Sequence, residues 1–156
     1  MSLPSHVQIT NLIHRYAELV DAGDVDGLMD LFAYAEIRRR DGVVRGEAIR
    51  SNFGRLPIGK NPGVTFRHVT TNLILDIDED AGIGSARCYA TVLKCTAGDR
   101  IEAIVSNRYH DDFTCTDGVW RFAVRRYLDT VTTASTAHVI DTDTQSEAEA
   151  PDRPAE

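Results

Sequence analysis

Four long stretches of strand character, at about 64–78, 83–96, 100–113 and 119–130, fill the second half of this 156-residue chain with almost nothing between them. The connecting segments, Glu79-Asp80-Ala81-Gly82, Gly98-Asp99 and Thr116-Asp117-Gly118, are tight-turn sequences. A parallel crossover needs a dozen or more residues, so these strands must run antiparallel. Their length also exceeds the usual ~5–6 residues, which requires a coiled or bulged sheet in place of a flat one. A coiled sheet has a concave face, and something must cover it.

The first half supplies the cover. Val7, Ile9, Leu12, Ile13, Tyr16, Ala17, Leu19 and Val20 recur at three- and four-residue intervals and predict a helix from about Ser5 to Val20. Ser5 and Gln8 have capping-box spacing at its start. Gly23 breaks the pattern, and Asp24 can cap a second helix carrying Val25, Leu28, Leu31 and Phe32. A hairpin is expected at 35–40 and 43–45 around Asp41-Gly42, then a third helix from Glu47 to about Phe53. Helices, a strand pair, a helix and a long meander exclude a repeating βαβ architecture. The expected fold class is α+β, a cone-like, strongly curved mixed or antiparallel sheet covered by three helices from the N-terminal half.

Charge divides the chain into residues 1–140, one domain, and residues 141–156, a tail expected to be disordered. The tail holds Asp141, Asp143, Glu147, Glu149, Asp152 and Glu156 against Arg153, which is −5 of the net −7. A nearly neutral body argues against a nucleic-acid partner. No signal-like or membrane-length apolar run is present, so a cytoplasmic protein without a membrane partner is expected. The three cysteines, Cys88, Cys95 and Cys115, show neither a disulfide framework nor zinc spacing, and Cys88 reads as core. His110, Asp111 and Asp112 are sequence neighbours whose side chains alternate between faces, so no metal site is expected. Nucleotide, P-loop, serine-hydrolase and zinc-protease motifs are absent, and no cofactor is expected.

Strand parity places Phe66, His68, Thr70, Asn72 and Ile74 on one face of the strand at 64–78. Arg67, Val69, Thr71, Leu73, Leu75 and Ile77 take the other, more apolar face. If that face points outward it needs covering, so a homodimer or homotrimer is expected. An uncharged polar row on the first face is unnecessary in water and costly in a dry core, which makes it a pocket candidate. His68 could exchange a proton near neutral pH. Tyr16 lies in the apolar stripe of the first helix and Asp21 falls just past its expected end, about 7.5 Å further along the axis. In the last strand Trp120 and Phe122 are core or pocket-wall residues, and Arg125 is either solvent-facing or an anion holder within a cavity. Periodicity alone pairs none of these with His68.

Ile13–Asp24, reading IHRYAELVDAGD, resembles the opening signature of the SnoaL-like branch of the nuclear transport factor two-like superfamily. GEAIRSNF from Gly46, RHVTTNLILDID over Arg67–Asp78, SNRYHD from Ser106 and GVWRF from Gly118 continue the resemblance, which spans about Gln8 to Tyr127. The fold is shared by enzymes and non-enzymes, so it does not fix function. In site pattern the chain is similar to bile-acid dehydratase, hexachlorocyclohexane dehydrochlorinase and, more distantly, scytalone dehydratase. That resemblance implies catalytic roles for Tyr16, Asp21, His68 and Arg125, or Arg126 in place of Arg125, with Asp21 bonded to His68. It implies Phe66, Thr70, Asn72, Asp111, Trp120 and Phe122 as substrate-pocket residues. The implied activity is a cofactor-independent, dehydratase-type lyase acting on a small hydrophobic cyclic or polycyclic compound. A polyketide cyclase using Asp111 as base, a ketosteroid-type isomerase, and a non-catalytic binding or subunit-like domain are the alternatives.

Overall fold

The computed structural model describes residues 3–54, 56, 62–98 and 100–133. The acidic segment 141–156 and most of the loop between Leu56 and Gly63 lie outside the described residues. The element order is α1 (Ser5–Ala22), α2 (Val25–Leu31), β1 (Glu36–Arg39), β2 (Gly42–Arg45), α3 (Glu47–Gly54), β3 (Val64–Asp78), β4 (Ile83–Thr96), β5 (Ile101–Thr116) and β6 (Val119–Thr132). The six strands form one curved, unclosed sheet in the order β2-β1-β6-β5-β4-β3. All neighbours are antiparallel except β1 and β6, which run parallel and make the sheet mixed. This is the expected α+β arrangement of three helices over one face.

Local differences from the sequence expectation have simple causes. Ser5 is the first helical residue, not the cap: Pro4 occupies that position without a side-chain bond, and Gln8 donates to the Leu3 carbonyl. Helix α1 also runs to Ala22, because its stop is the left-handed Gly23 at φ 69°, whose N–H bonds back into the last turn. Asp21 therefore sits inside the last turn of α1, not past its end. Asp24 caps α2 as expected, accepting from the Gly27 N–H at 2.8 Å. The hairpin turn is Arg40-Asp41, since Arg39 pairs with Gly42.

The larger correction concerns strand parity. Between Thr71 and Ile74 the β3 register against β4 slips by one residue, with Asn72 at φ 54°. Such a bulge reverses which residues face inward. Phe66, His68 and Thr70 face the helices before it; Leu73, Leu75 and Ile77 face them after it and pack against the main core, leaving Ile74 exposed. Leu73, Leu75 and Ile77 thus give no apolar outer face. Asn72 projects at the bulge and is exposed, so it does not belong to an inward row.

Two more slips, against Arg108/Tyr109 and Asp112/Phe113, insert Leu128 and Ala123 into β6. Parity from Trp120 and Phe122 would put Arg125 on the opposite face. The bulge at Ala123 returns it to the inner one, where it is fully buried opposite Asp111. The bulges are also how strands of this length curve around the helices.

The core lies between α1 and the sheet and includes Ile9, Ile13, Val20, Phe32, Ile37, Phe113 and Phe122. Cys88 is buried there, and burial pushes its thiol up to about 11. Since the thiolate is the reactive form, Cys88 is expected to resist iodoacetamide in the native protein at pH 8 and to react fully in denaturant. Mass-spectrometric mapping of native alkylation checks this; rapid modification of native Cys88 would contradict its enclosure.

Candidate active site

Helix α1 lies along β3 with its N-terminal turns near the far end of that strand. Gln8 reaches the backbone N–H of Trp120 at 3.4 Å, and Leu75 and Ile77 belong to the core that α1 covers. The C-terminal turn therefore arrives over His68. The His68 ring lies 2.7 Å from an Asp21 oxygen through Nδ1, and its backbone N–H reaches the two Asp21 oxygens at 3.1 and 3.0 Å. An ionised carboxylate accepts only, so the pair selects the neutral-ring tautomer that carries its proton on Nδ1 and its lone pair on Nε2. These donors also offset the unfavourable position of a carboxylate at a helix C-terminus, about 0.3–1 kcal/mol by dipole arguments. Both side chains are mostly enclosed, at 9% and 13% exposure for His68 and Asp21. His68 Nε2 has no hydrogen-bond partner among the described residues.

Tyr16 stands beside the pair, its ring centroid 6.2 Å from that of His68 in an edge-on contact. Its hydroxyl is 3.1 Å from the hydroxyl of Tyr127. Burial, chiefly, and Tyr127 push the Tyr16 phenol upward, so it remains a neutral donor and not a base. Tyr109 packs edge-on against both tyrosines, and Asn107 donates to its hydroxyl at 3.2 Å while accepting from Thr130 at 2.8 Å. Burial, above all, likewise holds Tyr109 well above its usual range. Sequence reasoning did not single out Tyr109, Tyr127 or Asn107 as site residues. Alternation along β5 carries a signal, since Asn107, Tyr109, Asp111 and Phe113 form one buried row.

Of the two positions open to Arg125, solvent or interior, the structure takes the interior. Its guanidinium lies under the Tyr16 ring at 4.1 Å and the Tyr109 ring at 4.4 Å, with Phe122 and Phe32 at 5.0 and 5.6 Å. Two parallel bonds of 2.9 and 2.6 Å tie it to Asp111, and neither side chain is exposed. Burial opposes its charge, but the Asp111 carboxylate outweighs burial and holds it as a cation. Both Asp111 oxygens are engaged by that cation, so Asp111 is not a free inward-facing base. Arg126 points to the other face and pairs with Asp112 at 2.6 Å.

The remaining residues separate. Phe66, on His68's own strand, joins Val92 of β4 and Ile104 of β5 in a second apolar cluster, and Thr70 lies one inward position from His68. Trp120 packs near the N-terminal turns of α1, roughly 20 Å of helix rise from Asp21, and so lies away from the pair. Phe122 contacts Phe113 and Phe32 in the core. A small cavity of about 110 Å³ opens between the end of α1 and α3, lined by Val20, Gly23, Val25, Leu28, Phe53 and Leu56. An open cleft of about 520 Å³ lies elsewhere, against Tyr34, Glu36, Arg38 and Arg45. Its Glu36 carboxylate is taken by those two arginines. No group of three or more metal-ligating side chains occurs among the described residues. No helix among them is long and apolar enough to cross a membrane.

A curved, unclosed six-stranded sheet with three helices packed against it is the α+β fold of nuclear transport factor two-like proteins. Within it, the chain belongs to the SnoaL-like domain family, which it matches over residues 1–126. It is similar to the structure of Aln2 from a Streptomyces species, at 28% identity and a TM-score of 0.66, covering 80% of this chain and 92% of that one. An NTF2-like protein with a cystatin-like fold from Novosphingobium aromaticivorans shares the fold at 22% identity and a TM-score of 0.65, covering 86% and 88%. A candidate scytalone dehydratase from the same organism shares it at 18% identity and a TM-score of 0.62, covering 82% and 87%. No curated protein matches the chain.

Proposed function

We propose that this protein is a cofactor-independent lyase of the dehydratase type. The observation that carries the reading is the Asp21–His68 pair, in which Asp21 favours the neutral tautomer with its lone pair on Nε2, beside a neutral phenol. His68 Nε2 takes a proton from carbon adjacent to an activating group, and Asp21 stabilises the imidazolium that forms. The tyrosine cluster of Tyr16 and Tyr127 donates hydrogen bonds to the developing oxyanion or departing hydroxyl. Arg125 does not touch substrate in this scheme. It lies beneath the rings of Tyr16 and Tyr109 and acts on their position and field.

The substrate class is a small, largely apolar cyclic or polycyclic compound, supported by the apolar residues Phe66, Val92 and Ile104 on one side and Phe53 on the other. A mass-spectrometric screen for loss of water from hydroxylated steroids, terpenoids and cyclic polyketide intermediates tests the reaction. Turnover by ring closure without loss of water would favour a cyclase. Binding without turnover across the panel would favour a non-catalytic role.

Self-association is proposed through the outer sheet face, where Val69, Ile74 and Tyr89 remain exposed. Light scattering is expected to give a dimer or trimer mass. A monomer mass at micromolar concentration would overturn it.

A further inference from the structure

Most arginines on β1, β2 and β6 are matched to carboxylates. Arg38 and Arg45 share Glu36, Arg125 pairs with Asp111 and Arg126 with Asp112. Arg39 is different. On β1 it alternates with Arg38 and shares the inward face of fully buried Ile37, so it projects toward the helices, half-buried. No carboxylate among the described residues reaches it. Its guanidinium donates through one terminal nitrogen to the side-chain oxygen of Asn52 on α3 and lies 5.7 Å from the centroid of the Tyr127 ring. Its Nε–H is enclosed and has no acceptor among the described residues.

A half-buried cation with an enclosed, unused N–H is an arrangement that proteins rarely leave unsatisfied. Asn52 and the Tyr127 ring orient the guanidinium without neutralising it. The location ties it to the candidate site: Tyr127 shares a hydroxyl contact with Tyr16, whose ring abuts His68. We infer that Arg39, steadied by Asn52 and Tyr127, forms an anion subsite, and that the substrate of the proposed lyase is a cyclic carboxylic acid bound through its carboxylate. Guanidinium presents donors matched to a carboxylate. A single cation suits a monoanion, whereas a phosphate dianion would call for more positive charge than these residues bring. The inference rests on the lyase reading for the identity of the site, and it narrows the substrate from an apolar ring compound to an acidic one.

The test is binding of 2-naphthoate and of neutral 2-naphthamide to the full chain, measured by titration calorimetry at pH 7. The protein is expected to prefer the acid by about tenfold or more, the scale of a charge-assisted bond. Arg39→Gln should erase the preference, bringing acid affinity down to that of the amide, and Arg39→Lys should keep only part of it because the charge remains and the fork is lost. Thermal melts of both variants confirm folding; if Arg39→Gln does not fold, Arg39→Lys carries the comparison. Equal affinity for acid and amide in the native protein, a preference that persists in Arg39→Gln, or no binding of either probe would overturn the subsite. His68→Ala separates this from the lyase reading. Acid preference retained with turnover lost supports both, acid preference retained with turnover unchanged sinks only the lyase, and no acid preference with turnover lost sinks only the subsite.

Discussion

Replacing His68 by alanine is expected to lower turnover by roughly 10²–10⁴-fold while leaving the fold intact, the scale of a lost general base. The fold should survive because the side chain lies at the edge of the concave face and Asp21 keeps the backbone N–H of residue 68 as a donor. Asp21→Asn should act in the same direction for a different reason. An amide can donate to Nδ1 and so stabilise the tautomer with its proton on Nε2, which disarms the base. A single-turnover assay on any substrate found to lose water decides the matter. Unchanged rates in His68→Ala, with native-like circular dichroism, would remove the lyase assignment and leave a binding domain.

The second large effect concerns stability. Asp111→Ala strands Arg125 as an uncompensated cation at zero exposure among four aromatic rings. Breaking a buried pair in this way costs about 3–5 kcal/mol. For a domain of this size that corresponds to a fall in Tm of roughly 10 °C. The double variant Asp111→Leu/Arg125→Met should recover much of the loss, since both charges and their desolvation are removed together. A calorimetric scan of Asp111→Ala melting within about 2 °C of the parent would show that the pair is not the enclosed unit described. The double variant also reports on function. If Arg125 acts only by supporting Tyr16 and Tyr109, substrate affinity should change less than the rate.

Much of this protein is legible in its sequence. Tight turns between long strands force an antiparallel meander, the three- and four-residue apolar spacing of residues 7–20 gives α1, and Gly23 with Asp24 divides it from α2. These are local rules acting on neighbouring residues, and they placed the helices over a curved sheet. The candidate residues Tyr16, Asp21 and His68 were also visible, though their association was implied only by resemblance.

The tertiary structure decided which way the long strands face. Alternation propagates along a strand until one extra residue reverses it, and the energy difference that places a bulge depends on partner strands and covering helices, not on the bulged residues alone. Asn72 turned Leu73, Leu75 and Ile77 into the core, and Ala123 turned Arg125 inward to Asp111. The sequence determined that a helix-bearing, coiled antiparallel sheet would form and which side chains could do chemistry in it. Only the packed sheet, with its bulges, decided that Asp21 meets His68, that Tyr127 and Tyr109 join Tyr16, and that Arg39 is left facing inward with no carboxylate among the described residues.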